Sequence, residues 1–550
     1  MRKLLFLLFL SAFSPLAGQQ LSHRFYLIGD AGELSINQNG LKALLEQHNN
    51  TSIQSTVLFL GDNIYPKGMP KEGAKGREKT EQIMQAQLSL IEKFKSEVYF
   101  LPGNHDWQRG GKAGVDFIRN QQQWIDSLNN PLIHFQPTGG CPGPIEIPIG
   151  DKLVLIILDS QWFLHPWERP EGEESACDAK TPEDVWIKLE DVLERNRSKR
   201  IVVAAHHPIF TYGEHGGVFT LTDHLFPLLS VNKNLYIPLP VLGSIYPLYR
   251  SIFGNIQDTA HPVSKRYRQV LSTLLERFPN SIYVNGHEHA LQYVVKNRVH
   301  YVTSGSGAKT TTVKQKGYSK YGSSRHGFAS IDVYDDGTSA IQYFEVGNSA
   351  IAYEVRLPTL PVPVEEDSNA LPDFIKPVLS QASLRYDRGR GKMLGINYRD
   401  EWKQQIEVPV FDIGREHGGL KILQKGGGMQ TLSLRLADSL ENEYTLRSVE
   451  KYPEKAIPEI LRGTIAQDVV QDQISAAHPY GALVVQDMAK AANIFYTKPT
   501  VVFIPDDPRL GIYRKDFANT LALYEERPDG DASNKPHFGN SKKIVSTDKV

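Results

Sequence analysis

Five short polar motifs carry the residue types that bind metal ions. They are Gly29-Asp30-Ala31-Gly32, Gly61-Asp62-Asn63-Ile64-Tyr65, Gly103-Asn104-His105-Asp106, Ala205-His206-His207-Pro208 and Gly286-His287-Glu288-His289. Among them they offer carboxylate and amide oxygens, one phenol and several imidazoles, a donor set suited to hard and borderline cations. So many donors are enough for two ions, because one carboxylate can bridge ions held about 3.5–4 Å apart. The glycines beside them let the backbone turn sharply away.

Such donors need rigid supports, and the flanking sequence supplies them. Short apolar runs at Phe25–Ile28, Val57–Leu60, Val98–Leu101, Leu153–Leu158, Ile201–Ala205 and Ile282–Val284 read as strands buried on both faces. Helical segments are expected at about 38–48, 78–95, 115–128, 183–197 and 264–278, between the strands. This alternation predicts an α/β fold with a largely parallel central sheet. The motifs lie where strands end, so they should converge at the carboxyl edge of that sheet. Tyr301–Val302, Phe328–Val333 and Ala340–Phe344 are expected to complete a second sheet of antiparallel strands.

The series Gly-Asp-x-Gly, Gly-Asp-x-x-Tyr, Gly-Asn-His-Asp, x-x-His and Gly-His-x-His, in this order, resembles the purple acid phosphatase branch of the calcineurin-like metallophosphoesterases over residues 23–350. The resemblance implies a sandwich of two mixed β-sheets flanked by helices. It also implies a first, ferric site of Asp30, Tyr65 and His289, and a second site of Asn104, His206 and His287 holding Fe²⁺, Zn²⁺ or Mn²⁺. Asp62 would bridge them. His206 is taken over His207 because the family's ligand directly follows the small residues at the strand end. The branch rests on Asp30, which lacks the histidine two residues on that most metallophosphoesterases carry, and on Tyr65, which replaces it. The implied reaction is hydrolysis of phosphomonoesters by a metal-bound hydroxide. His105 and His215 would contact phosphate or donate a proton, and Asn104 would also touch substrate. Asp106 is expected to orient His105, and Glu288 to be structural. A phosphodiesterase or nucleotide pyrophosphatase, or an envelope assembly protein with a secondary phosphatase domain, are the alternatives.

The chain's 550 residues exceed one ordinary core. Its 61 basic and 62 acidic side chains give no bulk sign of a nucleic-acid partner; a small phosphorylated substrate is what the resemblance implies. Arg2 and Lys3, the apolar run Leu4–Leu16 and small Ala17-Gly18 read as a signal peptide over 1–18, so export to a periplasmic, envelope or secreted location is expected. Cys141 and Cys177 leave a disulfide and two free thiols equally open. Basic, glycine-rich 66–80 is open between a pocket rim and a solvated loop. The apolar insertion 225–254 is open between a flap, a surface for membrane or partner, and a packed connection. Domain boundaries are expected at 20–355 for the metal-binding domain, 356–369 for a proline-rich linker and 370–550 for an α+β module. In that module Gly426-Gly427-Gly428 reads as a plain hairpin. Envelope association would come through the insertion or this module.

Overall fold

The computed structural model describes residues 20–544 apart from 35–37, 173, 231–234, 361–370, 372–375, 387–388, 390, 427–429, 454–456, 458–464 and 529–530. The expected signal peptide and most of the expected linker lie outside the described residues.

Among the described residues, fourteen strands build the first domain: β1 (Leu21–Ile28), β2 (Gln54–Phe59), β3 (Glu97–Phe100), β4 (Ile133–Phe135), β5 (Ile145–Ile149), β6 (Leu153–Ile157), β7 (Arg200–Ala204), β8 (Ile282–Asn285), β9 (Leu291–Lys296), β10 (Val299–Ser304), β11 (Ser319–Ser323), β12 (Gly327–Tyr334), β13 (Ser339–Glu345) and β14 (Tyr353–Leu357). They form two seven-stranded sheets, β14-β13-β12-β1-β2-β3-β4 and β11-β9-β10-β8-β7-β6-β5. The two mixed sheets that the resemblance implies are present, and the largely parallel central sheet read from the apolar runs is corrected. Its six strands divide into two parallel blocks, β1-β2-β3 with β4 and β6-β7-β8 with β10. Nor do the later strands make a sheet of their own. β12 and β13 extend the first sheet antiparallel to β1, and β10 joins the second beside β8.

The reason is visible in the side chains. Phe25, Leu27 and Leu58 of one sheet share an apolar cluster with Leu155, Val202 and Val284 of the other. The alternate residues Tyr26, Ile28, Val57 and Phe59 pack instead with Leu41, Leu44 and Leu45 of helix Gln38–His48. Each strand therefore buries both faces, one on the opposite sheet and one under helices, so its sequence runs continuously apolar. A helix–sheet–sheet–helix sandwich and a single doubly wound sheet produce the same run.

Cys141 and Cys177 form a disulfide. Among the described residues of the insertion, some pack and many are exposed. On helix Ile245–Ile252, Pro247 and Arg250 are buried while Ile245, Tyr246, Leu248, Tyr249 and Ile252 are exposed. Among the described residues no helix is long and apolar enough to cross a membrane.

β14 runs to Leu357, two residues into the expected linker. The C-terminal module has a five-stranded antiparallel sheet (Lys421–Gly426, Ser433–Ala437, Glu443–Ser448, Thr520–Glu526, Thr500–Ile504, in spatial order) with its own core around Phe411, Leu434, Leu446 and Phe517. The hairpin expected around the glycines is present, with Gly426 ending its first strand; Gly427 and Gly428 lie outside the described residues.

Candidate metal centre

Each motif sits just beyond a strand. Asp30 follows β1, Asp62 follows β2, Asn104 follows β3, His206 follows β7 and His287 follows β8. The site therefore spans the carboxyl ends of both parallel blocks, where the two sheets meet. Three of these residues hold left-handed backbone: Asp30 (φ 55°), Asp62 (φ 52°) and His287 (φ 66°). Such conformations cost of order 1–3 kcal/mol each and persist where surrounding contacts enforce them. Those contacts are present, since Asp30 N donates to Gly61 O at 3.1 Å and His287 N donates to Asp30 Oδ2 at 2.7 Å.

One group of side chains is Tyr65, Asp30 and His289. The Tyr65 hydroxyl donates to Asp30 Oδ1 at 2.9 Å and lies 3.1 Å from His289 Nε2, which is 3.5 Å from Asp30 Oδ1. The second is Asn104, His206 and His287. His206 Nε2 is 3.1 Å and His287 Nδ1 2.9 Å from Asn104 Oδ1, and the two nitrogens are 3.2 Å apart. The other nitrogen of each ring faces a backbone carbonyl, His206 Nδ1 at Leu60 O (2.8 Å) and His287 Nε2 at Gln257 O (3.1 Å). A carbonyl only accepts, so the ring protons sit there. Three lone-pair atoms then converge with no proton between them, an arrangement that a cation relieves. Asp62 lies between the groups. Its Oδ1 is 3.4 Å from His206 Nε2, and an oxygen each of Asp30 and Asp62 with a nitrogen of His206 lie within 4.8 Å of one another.

Electrostatics agree with a cationic occupant. Burial, followed by the carboxylates of Asp30 and Asp62, pushes the Tyr65 hydroxyl well above its ordinary range, so its ionisation needs a compensating cation. Burial pushes Asp62 up too, but His206 and His105 outweigh it and hold its carboxyl at about 2. Burial, then the neighbouring rings of His215, His207 and His206, keeps His287 far below its usual value and hence neutral, the ligating form. His289 is raised, since Asp30 overcomes the effect of burial.

All the expected site residues are brought together. His206 and His207 are both near enough to His287 to join it, but both His207 nitrogens are engaged, by Ser160 Oγ at 2.8 Å and Gln257 Oε1 at 2.6 Å. His206 is the donor left. His105 N donates to Asp62 Oδ1 at 2.8 Å, and its ring Nδ1 meets Pro66 O at 2.7 Å, leaving Nε2 on the open side, 3.8 Å from Asp62 Oδ2. Loop 66–80 thus shapes the site through its first residue, while Lys71 and Lys75 stay exposed. Asp106 does not orient His105. It accepts from the backbone N–H of Gly103 (2.8 Å), Asn63 (3.1 Å) and Ile64 (3.1 Å), and so splints two ligand turns together.

His215 lies against His287, ring centroids 3.9 Å apart. Three residues that place it carry no sequence signal. Asp258 Oδ1 accepts from His215 Nδ1 at 2.9 Å, and Arg250, from the insertion, grips Asp258 at 2.5 and 3.0 Å and also pairs with Glu214. Glu288 is structural, as expected, with a definite task. Its carboxylate accepts from the N–H of Glu214 and His215, each at 3.1 Å, and from the hydroxyls of Thr211 (2.8 Å) and Thr311 (3.0 Å).

Residues 23–291 match the family model described as calcineurin-like phosphoesterase. This segment is a calcineurin-like phosphoesterase domain. The chain is also similar to tartrate-resistant acid phosphatase type 5 of Homo sapiens, 24% identical over 321 residues, which are 55% of this chain and 78% of that protein. Purple acid phosphatase 7 of Arabidopsis thaliana is 21% identical over 261 residues, 46% of this chain and 60% of the relative. Among solved structures, GAP50, the anchor in the inner membrane complex of Plasmodium, overlaps 62% of this chain and 90% of its own at a TM-score of 0.41 and 15% identity. The phosphoesterase domain makes the protein a hydrolase, and its clustered His and Asp side chains could hold metal ions for phosphoester hydrolysis.

Proposed function

We propose that the protein is a dinuclear metal-dependent phosphatase acting on phosphomonoesters, with a ferric ion at Asp30, Tyr65, Asp62 and His289 and a divalent ion at Asp62, Asn104, His206 and His287. The observation that carries this reading is the convergence of Asn104 Oδ1, His206 Nε2 and His287 Nδ1, all acceptors, beside the Tyr65–Asp30–His289 group. Two ions bound there would supply Lewis acidity and a hydroxide in acid. The chain's own residues do the rest. Asn104 and His105 line the open side of the centre, and His105 Nε2 is free to meet a phosphate oxygen. His215, held by Asp258 through Nδ1, keeps Nε2 for the substrate and serves as the proton donor to the leaving alcohol. Export belongs to the same proposal, supported by the Leu4–Leu16 run and by a disulfide, which persists in oxidising compartments.

The test is metal analysis with a visible spectrum, followed by turnover of p-nitrophenyl phosphate and of its bis ester. Two metal ions per chain, a charge-transfer band lost in Tyr65→Phe and preference for the monoester are expected. A metal-free protein, or a band that survives Tyr65→Phe, rejects the centre. Preference for the bis ester turns the reading to a phosphodiesterase.

A further inference from the structure

The loop after β10 contributes a cation that the five motifs do not include. Lys309 places its ammonium 3.3 Å from the centroid of the Tyr65 ring. The loop that carries it is pinned to both turns of the first metal group. Gly307 N donates to Gly29 O (3.1 Å), Ala308 N to Asp30 O (3.0 Å) and Thr311 N to His289 O (2.7 Å). Gly307 makes this approach because a Cβ there would stand 2.6 Å from Gly29 O. Lys309 is thus held between residues fastened to two first-site donors, and its side chain is about two thirds buried, at 35% exposure. It has a carboxylate partner, Glu33 Oε2 at 3.2 Å, which is half exposed. A lysine so close to a cation site is electrostatically adverse unless it answers the anionic donors there, and Asp30, Asp62 and an ionised Tyr65 supply three.

We infer that Lys309 tunes the Tyr65 donor: its ammonium, seated on the ring, draws charge from the phenolate and so leaves the ion bound to that phenolate a stronger Lewis acid. This rests on the ferric, tyrosinate-bound reading proposed above. Charge transfer from ring to metal moves an electron away from Lys309, so the ammonium raises the energy of that transition. Glu33 offsets part of the effect by pairing with the same ammonium.

The experiment uses the full chain loaded with iron and compares visible spectra and iron content of the unmodified protein, Lys309→Met, Lys309→Arg and Glu33→Gln. Lys309→Met should move the band to longer wavelength by on the order of 20 nm at unchanged iron content. Lys309→Arg should hold it near its original place. Glu33→Gln, an exposed change that does not touch the donors, should move it the opposite way and serves even if Lys309→Met folds poorly. A band that stays put in both Lys309→Met and Glu33→Gln overturns the inference alone. An unmodified, iron-loaded protein without any band overturns the ferric reading, and the inference falls with it.

Discussion

At the scale of single residues, the proposed acid chemistry depends on groups that only act through others. Asp258 fixes which nitrogen of His215 holds the proton, and Arg250 fixes Asp258. Asp258→Asn is expected to lower kcat ten- to a hundredfold, the usual cost of losing a partner that orients a histidine. KM should change little and the alkaline limb of the pH–rate profile should move, because a proton donor acts only while it holds its proton. Steady-state kinetics across pH separates this from a general loss of fold, which would lower the active fraction at every pH alike. Asp258 also bears on stability. Burial pushes its carboxyl up, but His215 and Arg250 prevail and hold it at about 2, below the ~3.9 of an unfolded chain. A depressed acid stabilises the fold fully above the unfolded value and loses that contribution as pH falls through the folded one. The melting temperature should therefore drop between about pH 4 and pH 2, and Asp258→Asn should flatten that part of the curve. The candidate donors were legible as polar motifs at strand ends, and their proposed roles came from the resemblance. Asp258, Gln257, Arg250 and Lys309 were not, because each reaches the site from a turn or insertion whose own sequence has no pattern.

At the scale of elements, the turns after the strands decide whether donors meet. The Gly103 turn passes so close to its neighbour that a Cβ there would lie 2.2 Å from Asp62 N, a backbone atom that cannot swing aside. Gly103→Ala is expected to cost about 1–3 kcal/mol by forcing two ligand turns apart. Bound metal should fall below two ions per chain, and urea denaturation with metal analysis checks both. Asp106 belongs to this scale too. A carboxylate two residues from a ligand invites a role on the adjacent imidazole, yet its acceptors are filled by three backbone N–H groups of two turns. The strands and main helices followed from apolar runs and periodicity. Their division between two sheets did not, because a strand covered by a sheet and one covered by a helix bury the same residues.

At the scale of the whole molecule, the C-terminal module is fastened to the phosphoesterase domain by buried charge. Strand Lys421–Gly426 lies on helix Pro182–Arg195, and the Lys425 backbone N–H donates to Asp191 Oδ1 at 3.0 Å. The Lys425 ammonium, 1% exposed, reaches Asp516 at 2.6 Å and Glu190 at 3.3 Å, while Tyr513 donates to Asp191 and Arg277 pairs with Glu190. Removing one partner of a buried ion cluster strands the others away from water. Lys425→Ala is therefore expected to lower stability by about 3–5 kcal/mol with metal content unchanged. Calorimetry beside metal analysis tests this. The clearly separate sequence characters of the two parts say nothing of this contact, since each charged residue of it reads alone as a solvated surface side chain.

What the sequence determined by itself is the set of candidate donors. Asp30, Asp62, Tyr65, Asn104, His206, His287 and His289 each follow an apolar strand, and a strand end holds a donor in place whatever sheet the strand joins. The tertiary structure alone decided which strands pair in which sheet, the disulfide, the tautomers that turn His206 and His287 toward Asn104, the partners that Glu288 holds, and the supports supplied by Asp258 and Lys309. The physical reason is range. Strand ends and glycine turns are local properties of a few consecutive residues, while a proton's place on an imidazole is set by a carbonyl 30 or 146 positions away in the chain.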